Sequence, residues 1–312
     1  MFKDGAYYNA ISPYLKEYFG HRMAKIAIDA GFTCPNRDGN AGTGGCIFCS
    51  ADGSGYFAQD KRYSISEQIN LQLDTMKNKW RDAGYIAYFQ SFTNTYAPVG
   101  RLAKLYEEAL AHPEIQGLVI ATRPDCLSDE ILYYLQKLNN TTFLWIELGL
   151  QTSNDNTAVI INRGYPLSCY DSAVEKLVSL GIRVVTHLIA GLPGECENDF
   201  INSVKHICRQ KIFGIKLHLL TYLYRTRLGD EFLKNPDAFT VYNKEEYVSL
   251  ICDALEYTAP EITIHRLTGD APAASLIAPL WARNKHSVLN AINHEMKLRG
   301  HCQGSLFGIT ED

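Results

Sequence analysis

Short apolar, β-branched runs alternate with helix-patterned stretches through most of this 312-residue chain. Strand-like runs fall at 24–28, 85–90, 117–121, 143–148, 183–189, 213–219 and 261–267. Helix-like stretches fall at 64–80, 100–111, 128–138, 168–180, 197–209 and 244–257. The strand runs are apolar on both faces, the pattern of parallel strands covered by helices. This alternation predicts a parallel α/β sheet, open or curled into a barrel. The length suits one barrel of ~250 residues with extensions. The expected division is an N-terminal extension over 1–23, the barrel over 24–267 and a helical appendage over 268–312. Helix starts carry their own signals. Ser64 and Glu67 have the spacing of a capping box, and Ser128 precedes Asp129 and Glu130 at a helix's positive end. Function in such folds sits at the carboxyl ends of the strands.

Composition narrows the classes. Hydrophobic residues at 46% and charged residues at 21% exclude a disordered or fibrous chain. A net charge of −4 argues against bulk attraction to nucleic acid, though not against a local basic face. No apolar run approaches the ~18 residues of a membrane span, and the opening residues lack a secretory apolar segment. The expected compartment is the reducing cytoplasm. There, nine cysteines are metal-binding, catalytic or buried more often than disulfide-bonded.

Three of those cysteines stand just after the first strand, with spacing C-x11-C-x2-C at Cys34, Cys46 and Cys49. Gly39, Gly42, Gly44 and Gly45 lie between the first two and let the backbone fold tightly around an object. Zinc usually takes four ligands, and no second C-x-x-C pair exists. Three thiolates instead suit a 4Fe–4S cluster with one iron left open. A zinc site and plain structural cysteines are the alternatives. Cys126, Cys169, Cys196, Cys208, Cys252 and Cys302 are scattered, as buried or half-buried thiols are. Cys196, beside the glycines after strand five, is the one candidate hydrogen donor among them.

A cysteine triad in this loop, with Phe48 just before the last cysteine, resembles the radical S-adenosylmethionine superfamily. The superfamily's common spacing is C-x3-C-x2-C. The longer first gap, and the stretch Asp29-Ala30-Gly31-Phe32-Thr33-Cys34-Pro35-Asn36-Arg37-Asp38-Gly39, are similar to a narrower branch typified by YtqA and YhcC and allied to the Elongator catalytic subunit. The resemblance implies a partial (β/α)6 TIM-type barrel with a helical C-terminal extension. It also implies a 4Fe–4S cluster on Cys34, Cys46 and Cys49, whose open iron binds the amino and carboxylate groups of S-adenosylmethionine. An electron from the cluster would cleave the sulfonium, and the resulting 5′-deoxyadenosyl radical would take a hydrogen from substrate. The resemblance further implies a reductase with flavodoxin or ferredoxin as electron donor.

Other strand ends carry candidate cofactor contacts. Thr93 stands where the superfamily's glycine-rich segment meets the methionyl amino group, although the glycines are replaced here. Arg123 ends strand three and suits a carboxylate or phosphate; a loop brace with Asp125 is the alternative. By resemblance, Gln151 would contact the ribose or amino group and Arg163 the methionyl carboxylate. A buried Glu147 suits a neighbouring sulfonium or ammonium and, unpaired, would be costly; a structural Glu–Arg pair is the alternative. His187 opens a segment resembling the adenine border, but an acid common at that position is absent. His187, His218 and His265 lie on successive strands and would reach substrate if they face the lumen; satisfied core histidines are the alternative. Arg266 and Asp270 match a stretch typical of the branch.

Residues 205–234 hold a basic run of Lys205, Arg209, Lys211, Lys216, Arg225, Arg227 and Lys234 against Asp230 and Glu231. Tyr222 and Tyr224 interleave with it, and Trp281, Arg283, Lys285, Lys297 and Arg299 follow downstream. Basic residues with aromatics suit phosphate contact and base stacking; a solvated face is the alternative. Candidate substrate contacts are thus His218, Arg225, Arg227, His265 and Arg266. The branch resemblance implies tRNA as partner and the C5 side chain of the wobble uridine, of aminomethyl type, as substrate. A tetrapyrrole or similar small molecule is the second reading, and a non-catalytic metal-binding module the third.

Overall fold

In the computed structural model, residues 2–309 are described apart from 52, 54, 56, 78, 79, 81, 270–272 and the side chain of residue 4. The described residues form nine strands: β1 Met23–Ile28, β2 Gly84–Phe89, β3 Ile115–Thr122, β4 Phe143–Gln151, β5 Arg183–Ala190, β6 Gly214–Leu219, β7 Tyr222–Leu223, β8 Thr263–Arg266 and β9 Leu276–Ala278. Strands β1 to β6 and then β8 make one parallel sheet in that order, while β7 and β9 pair antiparallel outside it. The seven parallel strands curl into a half-barrel, the partial TIM-type architecture that the family resemblance implies, with one strand more than six.

The helices are α1 Ile11–Phe19, α2 Pro35–Asp38, α3 Ile65–Met76, α4 Val99–Leu110, α5 Asp129–Thr141, α6 Asp155–Ile160, α7 Leu167–Ser179, α8 Glu197–Cys208, α9 Arg227–Lys234, α10 Lys244–Tyr257 and α11 Lys285–Arg299. The expected capping box opens α3: Ser64 N–H donates to Glu67 Oε2 at 2.7 Å and Glu67 N–H to Ser64 Oγ at 3.2 Å. Ser128 caps α5 by accepting from Ile131 N–H at 3.4 Å. Four short helices, α1, α2, α6 and α9, lie outside the stretches read as helical. The C-terminal part is less purely helical than expected, since β9 and a 3-10 turn at Leu280–Arg283 precede α11.

Strand alternation sorts the side chains. Ile26, Ile28, Ile120, Ile146, Leu188 and Leu217 point outward and pack against the helices in the main core. Ile86, Tyr88, Val119, Trp145 and Val185 point into the lumen. Leu15, Ile11, Tyr14 and Phe19 of α1 join that lumen cluster and close its amino end. These four recur at helical spacing, one apolar stripe on α1. Among the described residues, α1 thus covers the base of the lumen, and a cavity lies at the carboxyl ends of the strands.

Both chain ends cover the β8 edge, where unpaired backbone groups would otherwise face water. Ala10 bridges Ile264 in parallel, and Ile264 N–H donates to Asn9 O at 2.7 Å. Buried Gln303 donates to Ala259 O and Ile262 O, each at 2.8 Å, and accepts from Asn9 N–H at 2.8 Å. Removing this side chain strands buried backbone groups, each worth ~1–3 kcal/mol. Gln303→Ala is expected to cost about 2–4 kcal/mol in urea unfolding. Lys3→Ala, which loses only an exposed pair with Glu17, is expected to cost under ~1 kcal/mol.

Candidate active site

The open end of the lumen forms a cavity lined by all three cysteines of the loop, Cys34, Cys46 and Cys49. Cys34 sits at the start of the one-turn α2, whose first residue is Pro35. Close approach governs the glycines here. A Cβ on Gly42 would fall 2.2 Å from Asn36 Oδ1, and one on Gly45 would fall 2.9 Å from Arg37 Nε. The loop is tied to the segment after α6 by a set of hydrogen bonds. Asn162 Nδ2 donates to Thr43 O at 3.1 Å and Gly45 O at 2.8 Å. Asn36 Nδ2 donates to Asn162 O at 2.6 Å and lies 3.9 Å from Cys46 Sγ. Ile47 N–H donates to Ile161 O at 3.1 Å, and Leu228 N–H of α9 to Ile47 O at 2.9 Å.

The donor set fits an iron–sulfur cluster: three thiols line one cavity with backbone held close around them. Burial, and after it the neighbouring Cys49 and Cys34 thiols, pushes Cys46 up to about 12, with Arg123 opposing. A metal bound by such thiols must displace protons. Among the described residues, no three His, Cys, Asp or Glu side chains are gathered as for a single metal ion.

Of the remaining sequence candidates, Phe48, Thr93, Arg123, Glu147, Gln151, Arg163, His187, His218 and Arg266 line the same cavity. Thr93 is held beside the cysteine loop, its N–H donating to Thr33 O at 3.2 Å. Phe48 packs on an apolar cluster with Ile47, Ile161, Ile189 and Leu192 at the cavity rim. Gln151 has φ +71° where the β4–β5 register slips, a bulge that turns the strand end outward.

The two arginines are occupied. Arg123 forms a two-point bond with Asp125, Nε to Oδ1 at 2.9 Å and Nη2 to Oδ2 at 2.6 Å, and Nη1 donates to Arg163 O. This is the loop brace. Arg163 is buried and gives four of its five N–H groups to Tyr165 O, Leu150 O, Thr152 O and Asp155 Oδ1. Both guanidiniums stack on Tyr165, at 4.8 and 4.7 Å from its ring centre. Their charge remains beside the cysteines, while most of their hydrogen bonds hold the loops.

The cavity floor is a buried polar network centred on Glu147. Tyr88 OH donates to its Oε2 at 2.7 Å, His187 Nε2 to Oε2 at 2.9 Å and Trp145 Nε1 to Oε1 at 3.1 Å. Lys216 Nζ also bonds Oε2 and reaches Tyr88 OH at 3.2 Å. Glu147 thus pairs with a lysine, not with an arginine. Burial alone would raise its pKa, but Lys216, His187 and Lys25 hold the carboxyl well below its ordinary range. Burial, then Lys216, lowers His187 to about 4, so a neutral imidazole donates to the carboxylate. His218 lies tilted against it, with ring centres 5.1 Å apart, and burial keeps His218 neutral too.

The structure does not bring every candidate to the cavity. His265 does not join the cavity: it faces the closed base between Trp145 and Phe213, with ring centres 5.4 and 5.5 Å away, and bonds Thr263 Oγ1. Arg225 and Arg227 do not line it either; both are exposed beyond β7, and Arg227 pairs with Glu231 at 2.9 Å. The basic run is not one face. Strand alternation turns Lys216 into the lumen, and Lys205 lies 3.9 Å over the Tyr257 ring in the helix layer. Downstream, Arg299 is held by Asp253, Glu256 and Glu295, and Trp281 Nε1 by Tyr242 O. Cys196 starts α8 bonded to Asp199 and is exposed, away from the cavity lining. Asp270 lies outside the described residues.

Lys216, Tyr88, Asn36 and Tyr165 were not singled out as site residues from the sequence. Lys216 had a signal: it stands in Gly-Ile-Lys-Leu-His-Leu, and a lysine inside a strand covered on both faces requires a buried acid. Glu147, in Trp-Ile-Glu-Leu, is that acid.

Residues 37–207 match the radical SAM superfamily and residues 212–298 the radical SAM C-terminal domain. The chain is 45% identical over 305 residues to the uncharacterized protein YtqA of Bacillus subtilis, covering 98% of this chain and 94% of that one. It is 34% identical to protein YhcC of Escherichia coli over 295 residues, covering 94% and 93%. A tRNA uridine(34) acetyltransferase of Dehalococcoides mccartyi is 29% identical over 182 residues, covering 57% of this chain and 38% of the acetyltransferase. Among solved structures, Elp3 of Methanocaldococcus infernus with an N-terminal deletion shares the fold, with TM-score 0.67 at 18% identity over 90% of this chain and 64% of that one.

The floor network sets a pH dependence. His187 takes its proton in the unfolded chain near pH 6.5 but in the folded chain only near 4. The unfolded state therefore binds more protons between these values, and stability falls as pH drops through that window. Glu147, depressed, adds stability above its unfolded pKa of ~4.3 that is lost on further acidification. His187→Gln is expected to flatten the slope between pH 6.5 and 4 by about 1.4 kcal/mol per pH unit. Lys216→Met, which strands the carboxylate, is expected to cost about 3–5 kcal/mol at pH 7. Urea unfolding across the pH range checks both.

Proposed function

The chain belongs to the radical SAM superfamily, to the branch that holds YtqA and YhcC, and from that premise we propose that it modifies the C5 side chain of the tRNA wobble uridine, an aminomethyl-type substituent. Membership makes it an enzyme whose cofactors are a 4Fe–4S cluster and S-adenosylmethionine. When bound, the pair supplies a 5′-deoxyadenosyl radical that takes hydrogen from substrate.

The chain's own residues divide the work as follows. Cys34, Cys46 and Cys49 hold the cluster, an assignment supported by all three lining one cavity. Thr93, Gln151 and Phe48 line the same cavity and would contact the amino-acid and nucleoside parts of S-adenosylmethionine. Arg123 and Arg163 would offer two positive charges to the methionyl carboxylate while their hydrogen bonds keep the loops fixed. Glu147 and Lys216 close the floor as a satisfied pair, and α1 blocks entry from the other end. Water is thereby kept from below a reactive species. His187, His218 and Arg266 line the same cavity and would face the substrate.

Two observations support tRNA. The match to a tRNA uridine(34) acetyltransferase spans 57% of this chain. Exposed Tyr224, Arg225 and Arg227 stand just past the cavity-lining Leu223, in position to meet a base and backbone phosphates outside the pocket. A flavodoxin or ferredoxin with its reductase supplies the electron, and the cytoplasm is the compartment that suits nine thiols. No helix among the described residues is long and apolar enough to cross a membrane.

Anaerobically reconstituted, reduced protein is expected to form 5′-deoxyadenosine faster with hypomodified bulk tRNA than without. Gene deletion is expected to change a wobble-uridine nucleoside in tRNA mass spectra. Arg225→Ala is expected to weaken tRNA binding severalfold and reduce its salt slope by about 1. Slow formation of 5′-deoxyadenosine that ignores tRNA, with unchanged nucleosides, points to a small-molecule substrate such as a tetrapyrrole and overturns the tRNA assignment.

A further inference from the structure

We propose that Asn36 is a positioning residue whose side-chain amide donates to Cys46 Sγ and raises the reduction potential of the cluster. This rests on the reading that Cys46 is a cluster ligand. Asn36 is fully buried one residue into α2. Its Nδ2 faces three acceptors: Asn162 O at 2.6 Å, Arg163 O at 3.5 Å and Cys46 Sγ at 3.9 Å. The opposite amide orientation would set an oxygen against two carbonyls and a sulfur, so the nitrogen belongs where it stands. One N–H is satisfied by Asn162 O at the short distance. The second is shared between a carbonyl at its limit and the sulfur. A cluster thiolate is a charged acceptor, stronger than a thiol, and draws that N–H to itself.

The rest of the pocket is shaped around this amide. Asn36 Oδ1 is buried with no hydrogen-bond partner. A Cβ on Gly42 would meet it at 2.2 Å and one on Gly164 at 2.9 Å, so two glycines from separate loops leave room for it. A leucine of similar size would fill that space without leaving a polar atom orphaned. The chain instead keeps an asparagine whose oxygen gains nothing, which places the value of the residue on its nitrogen side. Asn36 also connects the cysteine loop to the Asn162–Arg163 backbone, next to the arginines beside the cofactor space. Hydrogen bonds to cluster sulfurs favour the more negative, reduced form and raise the potential.

The test compares anaerobically reconstituted wild-type protein with Asn36→Leu. Iron and sulfide content are measured first, then the midpoint potential by EPR-monitored titration. The expected result is equal iron loading and a fall of about tenfold in the reduction equilibrium constant, equivalent to about 59 mV for one electron. Equal loading with an unchanged potential overturns the proposal and leaves Asn36 a loop tie only. Because Asn36→Leu can also weaken the loop, wild-type protein carrying 15N in its asparagine side chains gives a second readout. Pulsed EPR of its reduced cluster is expected to show a 15N coupling, and absence of that coupling overturns the proposal. Failure of wild-type protein to take up iron at all overturns the cluster assignment instead, so the two failures are distinct.

Discussion

One buried carboxylate, Glu147, ties four strands together across the lumen. It accepts from Tyr88 on β2, Trp145 on β4, His187 on β5 and Lys216 on β6. Taking a charge into such a place costs several kcal/mol unless every lone pair is met, and here both oxygens are met. The network marks a boundary in the barrel. Below it lie Trp145, Phe143, Val185 and the apolar face of α1. Above it lies the cavity with the cysteines. Aromatic packing at the base covers the polar floor from the amino end of the barrel. That combination makes a half-barrel usable as a closed reaction vessel.

The second element on which the site depends is the tie between two loops distant in sequence. The glycine-rich cysteine loop has little core of its own. It borrows rigidity from residues 161–163, through Asn162 reaching to Thr43 and Gly45 and Asn36 reaching back. Those same residues carry Arg163, which is fixed by four hydrogen bonds and stacked with Arg123 on Tyr165. The cysteine side and the arginine side of the cavity are thus parts of one hydrogen-bonded unit. Preorganisation of this kind keeps reacting groups in place without ordering them at each turnover.

The fold was legible because its signal is periodic and long: apolar runs covered on both faces at strand length, separated by helices with capping residues. The cluster loop was legible because three cysteines and four glycines in sixteen residues have few other uses. What stayed hidden depends on which way a side chain faces. Lys216 reads as part of a basic surface run until the β6 register places it opposite His187 and inside the lumen. His265 reads like His187 and His218, yet it faces the closed base, since β8 enters the sheet with a register slip against β6. Arg123 and Arg163 read as ligand-grasping arginines, whereas their bonds to Asp125 and to backbone carbonyls arise from loop geometry that spacing alone does not encode. The short α1, sealing the base, carried a detectable stripe at Ile11, Tyr14, Leu15 and Phe19.

The central claim is that Cys34, Cys46 and Cys49 hold a 4Fe–4S cluster with one iron open to S-adenosylmethionine. EPR of the reduced, reconstituted protein with and without S-adenosylmethionine addresses it most directly. The account predicts a single cluster signal whose g-values shift when S-adenosylmethionine is added and which is absent from the Cys34→Ala, Cys46→Ala, Cys49→Ala triple variant. A signal indifferent to S-adenosylmethionine, or one that survives in the triple variant, would contradict it.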